Sequence, residues 1–132
     1  MNQIVIRYQD GHTVKGVTDD FFPNRDRFHV APPEAPFGSK PQEILLKDLK
    51  AVFFVKDFAG NPKHTKSNEP TPGKPLPGRK VRVVFKDGEV ILGATQGYAP
   101  GRPGFFLIPV DAGSNNERCF VVAAATQTVT MM

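Results

Sequence analysis

Among its 132 residues the chain has one cysteine, no tryptophan and two tyrosines. The lone Cys119 excludes an intrachain disulfide framework, fits a reducing compartment and cannot complete the paired-cysteine pattern of a structural zinc site. Its neighbours Phe120-Val121-Val122 make it read as a buried apolar residue rather than a nucleophile. The N-terminus enters Ile4-Val5-Ile6 without a basic region and a long apolar segment. Neither a signal peptide nor a membrane span is expected, and a cytoplasmic location is the default. No glycine-rich phosphate loop opens a helix and no serine motif marks a hydrolase. His12, His29 and His64 are scattered, and Asp19-Asp20 lacks a calcium-loop arrangement. The expectation is therefore a non-enzyme with no cofactor and no metal.

Long runs of Lys or Arg are also missing. The formal charge is +4, yet residues 1–57 hold eight basic and eight acidic side chains, so the excess lies further along. That distribution is a weak electrostatic argument for nucleic acid.

A repeat is what the chain does have. Asp10-Gly11, Gly16, Thr18, Pro23, Arg25, Phe28 and Pro32 return as Asp87-Gly88, Gly93, Thr95, Pro100, Arg102, Phe105 and Pro109, always 77 residues on and without a gap. One β-rich unit occurring twice is the natural reading. In the first copy, Ile4, Ile6 and Tyr8 alternate with Val5 and Arg7 as a strand does. Asp10-Gly11 turns the chain into a second arm with Thr13, Val14 and Val17, extending towards Phe21-Phe22, and Gly16 marks a bend or close approach. Pro23-Asn24-Arg25-Asp26 is a loop, Arg27 to Val30 a third strand, and residues 32–41 an irregular excursion. Glu43 to Leu46 resumes extended structure, Lys47-Asp48-Leu49 makes a tight turn, and Lys50 to Val55 forms the last strand. An amphipathic helix over 43–55 is the competing assignment, disfavoured by its β-branched and aromatic content.

Residues 60–78 are rich in Pro and Gly and oppose regular ladders. Pro72-Gly73-Lys74-Pro75 there is a weak match to a recognition peptide. The second copy runs through Val81, Val83 and Phe85, the Asp87-Gly88 turn and Val90-Ile91-Leu92. Phe105 to Ile108 then reads as a doubly covered strand. A polar excursion over Asp111 to Arg118 precedes a strand from Cys119 to Val122, a short turn at Ala123-Ala124-Ala125 and a last extended segment from Thr126.

This order of hairpin, bent strand, third strand, excursion and two strands around a tight turn resembles the small SH3-like barrels, particularly the Sm-like type. The expected fold is all-β: two tandem SH3-like (Sm-like) small β barrels, residues 1–57 and 79–132, with a Pro/Gly-rich linker at 58–78. Asp10-Gly11 with Gly16, and Asp87-Gly88 with Gly93, match that family's first-motif turn and bent strand. The resemblance implies ring formation through exposed strand edges and RNA binding. Residues 43–50 lack the family's Arg-Gly or basic-His signature, so no nucleobase-binding residue is assigned there. Pro23 to His29 also resembles stretches of uncharacterised bacterial proteins.

The candidate site residues for an anion or nucleic acid are Arg25, Arg27, Arg102, Phe21 and Tyr98. Arg25 and Arg102 occupy equivalent Pro-x-Arg positions, where guanidinium groups either brace loops or contact an anion or backbone phosphate. Phe21 and Tyr98, with Phe28 and Phe105, either fill two equivalent cores or stack on unpaired bases. The leading functional expectation is a non-catalytic binding or assembly module that recognises a protein segment, or associates with itself, at a strand edge. Binding of RNA or single-stranded nucleic acid comes second. A small hydrolase with its site at the barrel interface is a third, different class.

Overall fold

Two turns of the same chemistry start the two halves of the molecule. Gly11 and Gly88 sit at φ of 99° and 93°, a region that glycine enters without steric cost. Asp10 and Asp87 each accept the amide of the residue two places on, at 2.9 and 3.0 Å. The computed structural model describes residues 2–32, 40–56, 78–99, 101–110 and 116–132. The linker at 58–78, save Gly78, lies outside the described residues, as does most of the excursion at 32–41.

The protein is all-β. Its first half contains β1 (Asn2–Tyr8), β2 (Thr13–Thr18), β3 (Arg27–Val30), β4 (Gln42–Leu45), a 3-10 turn (Leu46–Asp48) and β5 (Leu49–Val55). The second contains β6 (Arg79–Phe85), β7 (Val90–Thr95), β8 (Gly104–Pro109), β9 (Asn116–Val122), a 3-10 turn (Ala123–Ala125) and β10 (Thr126–Met131). Residues 43–55 are thus strand, 3-10 turn and strand rather than an amphipathic helix. The second arm stops at Thr18, short of Phe21-Phe22, and β9 begins at Asn116, earlier than the polar composition of 111–118 suggested.

Pairing register agrees between the halves at the same spacing of 77 residues. Ile4 opposes Gly16 as Val81 opposes Gly93, and Phe28 opposes Ile44 as Phe105 opposes Val121. Gly16 and Gly93 are needed for close approach. A Cβ at Gly16 would lie 2.5 Å from the Ala31 carbonyl oxygen, and one at Gly93 2.3 Å from that of Ile108.

No closed barrel is found among the described residues. Eight strands form one antiparallel sheet in the order β10-β6-β7-β8-β9-β5-β1-β2, and β3 pairs with β4 beside it. The halves meet where β5 pairs with β9, from Ala51 opposite Val121 to Val55 opposite Asn116. β5 throughout, and β9 from Cys119 to Val122, are buried on two faces, and their period of two divides these side chains between two cores. One core holds Val81, Val83, Phe85, Phe105, Leu107, Cys119 and Val121 of the second half, and receives Ala51, Phe53 and Val55 from the first. The other holds Ile4, Ile6, Phe28, Ile44, Leu49, Val52 and Phe54 of the first half, and receives Phe120 and Val122 from the second. Each half therefore completes the core of its sibling. Double coverage falls on β5 and β9 rather than on β8, where Phe106 and Ile108 remain partly exposed.

A buried cation closes the junction. Lys50, with 8% of its side chain exposed, crosses from β5 to the β6–β7 turn and donates to Asp87 at 2.7 Å and to Glu89, its Nζ 4.8 Å from the Phe85 ring centre. Arg118 of β9 lies between rings from both halves, with Cζ 4.2 Å from the centre of Phe54 and 4.7 Å from that of Phe106. No helix among the described residues is long and apolar enough to cross a membrane.

Candidate functional site

The loop joining β2 to β3 is organised by Asp20. Its carboxylate accepts the His29 amide at 2.9 Å and pairs with the His29 ring Nδ1 at 2.7 Å, while the Thr18 hydroxyl lies 2.7 Å from the His29 carbonyl. Burial pushes the Asp20 carboxyl up, but the hydrogen bonds from His29, with a contact from the Thr18 hydroxyl at 3.1 Å, outweigh it and hold the group below the ordinary aspartate range. The loop then tightens into a turn in which the Arg25 amide donates to the Phe22 carbonyl at 3.1 Å. In the second half, the Arg102 amide donates to the Ala99 carbonyl at 3.4 Å. Each turn is pinned to the following 3-10 segment by one more bond of the same kind, Leu46 to Asp26 and Ala123 to Pro103, both 2.9 Å.

These turns face a common recess of about 460 Å³. Arg25 and Asp26 of the first turn, Lys47 of the first 3-10 segment and Arg102 of the second turn supply its charged lining. Leu46, Pro103, Val122 and Ala123 supply apolar surface. Arg25 is oriented by Phe22, an exposed ring whose centre is 5.0 Å from the guanidinium carbon. Among the described residues no carboxylate lies within ion-pair distance of Arg25, Lys47 or Arg102.

Arg27 is placed differently. It contacts both carboxylate oxygens of Asp26, at 3.2 and 3.4 Å, and reaches Glu43 at 3.6 Å. The hydrogen bond between them, with the charge attraction, holds the Asp26 carboxyl below its ordinary range and raises the Arg27 guanidinium. Phe21 meets Phe28, Phe54, Phe106 and Phe120 edge-on, with centres 5.0 to 6.0 Å apart. Tyr98 meets Phe105 in the same way at 4.9 Å. Of the five residues singled out by sequence, the structure brings Arg25 and Arg102 together and sets Arg27, Phe21 and Tyr98 in separate contacts.

Lys47 was missed by the sequence reasoning, although the tight turn containing it was not. Its equivalent in the other half is Ala124, so no repeated residue type drew attention to it. Arg118 likewise has no repeated counterpart, Pro41 standing in its place in the first half.

Cys119 is fully buried. His12 is stacked on Tyr8, with ring centres 3.8 Å apart, and pairs with Asp10. His64 and the Pro72 to Pro75 segment lie outside the described residues. Among the described residues no group of three or more His, Cys, Asp or Glu side chains could hold a metal ion.

A family model described as "Family of unknown function (DUF6982)" matches residues 1–132. No curated protein and no solved structure matches the chain.

Proposed function

Because the chain belongs to DUF6982, a family of unknown function matched over residues 1–132, we propose its task from geometry alone: a non-catalytic, cytoplasmic binding or assembly module that takes a protein strand at a sheet edge. In this reading the two halves are tandem SH3-like, Sm-like units, and the β5–β9 ladder is one instance of the contact the module makes with partners. The observation that carries it is the state of β10. This strand ends the eight-stranded sheet, and its sequence Thr126–Met131 has no charged residue and no proline. Charge and proline are the usual devices that keep an exposed edge from pairing. An uncharged edge rich in Thr and Val is suited to strand addition, in which backbone bonds supply affinity and alternate side chains supply selectivity.

The edge of β4 is the natural complement in a second copy, because β4 is the counterpart of β9. Hydrogen exchange at about 1 µM and about 500 µM chain tests this, over the range in which weak strand pairing is concentration-dependent. Slowing confined to β10 and β4 at the higher concentration, with a rise in sedimenting mass, is expected. Exchange and mass that do not change with concentration exclude self-association.

RNA or single-stranded nucleic acid is the second reading, favoured by the convergence of Arg25 and Arg102. Phosphate contacts of that kind weaken as salt rises, so titration at two ionic strengths tests it.

A further inference from the structure

The recess between the two turns carries a different inference, independent of the strand edge. We propose that it binds a small organic phosphate, a dianionic group on a compact apolar body.

The charge balance comes first. Arg25, Lys47 and Arg102 line the recess without an acidic partner among the described residues, and the one lining carboxylate, Asp26, is already held on both oxygens by Arg27. Arg27 in turn reaches Glu43, away from the recess lining. The excess positive charge is therefore that of three side chains on three separate backbone segments. A phosphate monoester matches this better than a carboxylate does, since it brings up to two negative charges and three acceptor oxygens to planar guanidinium donors.

Positioning comes second. The two arginines occupy equivalent places in equivalent turns, each closed by a hydrogen bond from the arginine's own amide. Phe22 restricts Arg25 further, which lowers the entropy lost when the guanidinium meets an anion. Leu46, Pro103, Val122 and Ala123 offer surface to the organic part, and a volume of about 460 Å³ falls within the range of small-ligand sites.

The surroundings argue against a polyanion. Beyond Arg102 lies a second concavity of about 340 Å³, lined by Pro23, Gln96, Phe106 and Ile108 among others, in which Arg102 is the only charged lining residue among those described. The clustered cations of the first recess thus do not continue into this neighbouring concavity, whereas a nucleic-acid strand calls for cations that track its backbone.

The test is a titration of the full chain, at low salt and neutral pH, with phenyl phosphate, inorganic phosphate, benzoate and a single-stranded oligonucleotide, read by backbone amide shifts. Saturable binding of phenyl phosphate with a dissociation constant near or below about 1 mM is expected, with benzoate about tenfold weaker. The shifts should centre on Arg25, Lys47 and Arg102. Arg25→Gln with Arg102→Gln should weaken phenyl phosphate at least about tenfold and Lys47→Gln about threefold, while Lys80→Gln, outside the recess lining, leaves it unchanged. All four positions are exposed, and an unchanged thermal melt confirms the fold of each variant. Failure to saturate at about 10 mM phenyl phosphate, or a double variant that binds like the parent, overturns the proposal. So does oligonucleotide binding that phenyl phosphate does not displace, which would mark a polyanion surface instead.

Discussion

β5 and β10 are counterparts, as are β9 and β4, yet their fates are opposite. All seven residues of β5 are buried, while no residue of β10 is. Cys119 to Val122 of β9 are buried, while Gln42 and Glu43 of β4 are exposed. Val52 of β5 is inaccessible to solvent, and the residue in its place on β10, Val129, is only partly covered. Strands with the same neighbours on one edge thus carry different sequences according to what covers the other edge and the second face. Every residue of β5 but Lys50 is apolar, and on β10 threonine stands in the places of Leu49, Ala51 and Phe53, where one side meets water.

The sharpest way to break this comparison is to cut the shared wall. Phe120→Ala removes a fully buried ring from the first half's core, although the residue belongs to the second half. A loss of about 4 kcal/mol is expected, measured by denaturant unfolding. Tyr8 and Tyr98 lie one in each half, so single-tyrosine variants give separate fluorescence signals for the two. Coincident unfolding curves are expected from both. Distinct midpoints would show that the halves melt independently and that the wall is not shared.

Next in size is the buried cation. Asp87→Asn with Glu89→Gln leaves Lys50 inside without a carboxylate and should cost about 3 kcal/mol, whereas Lys50→Met should cost less because it leaves no buried charge behind. Reversal of that order in denaturant midpoints would remove Lys50 as the closure of the junction. The same contact sets a pH dependence. Asp87 is held below the ordinary aspartate range first by the Lys50 side chain and then by the Glu89 amide. A carboxyl whose pKa is depressed by folding contributes stability above its unfolded pKa and loses it as pH falls through the folded value. The unfolding midpoint should therefore drop below about pH 4, and drop less in Asp87→Asn.

The smallest effect is the most direct comparison. Val52→Ala should cost about 2 kcal/mol and Val129→Ala less than about 1, since the two remove the same atoms from fully and partly buried sites. Equal losses would mean that β10 is covered by something other than solvent.

Much of the local fold was legible because its causes are local. Asp-Gly turns, the glycines opposite Ile4 and Val81, and a tight turn, read at Lys47 to Leu49 and found one residue earlier, follow from the conformational limits of a few neighbouring residues. The ladder between β5 and β9 was not, since nothing in Lys50 to Val55 names the strand it will pair with. Its unbroken burial was instead anticipated for Phe105 to Ile108, a run of similar hydropathy. In the recess, the arginines were found through repetition. Lys47 lacked a repeated counterpart, and three-dimensional convergence alone reveals it.

The exchange of core residues between the halves also has a genetic consequence. A truncated product ending before the linker would display Ala51, Phe53 and Val55 with no second core to receive them, and the complementary fragment would lack Ile4, Ile6 and Val52 around Phe120. Either piece alone would expose core surface and is expected to aggregate. Co-expression of the two pieces is expected to raise the soluble yield of each, and yields equal to those of the separate pieces would argue against the exchange.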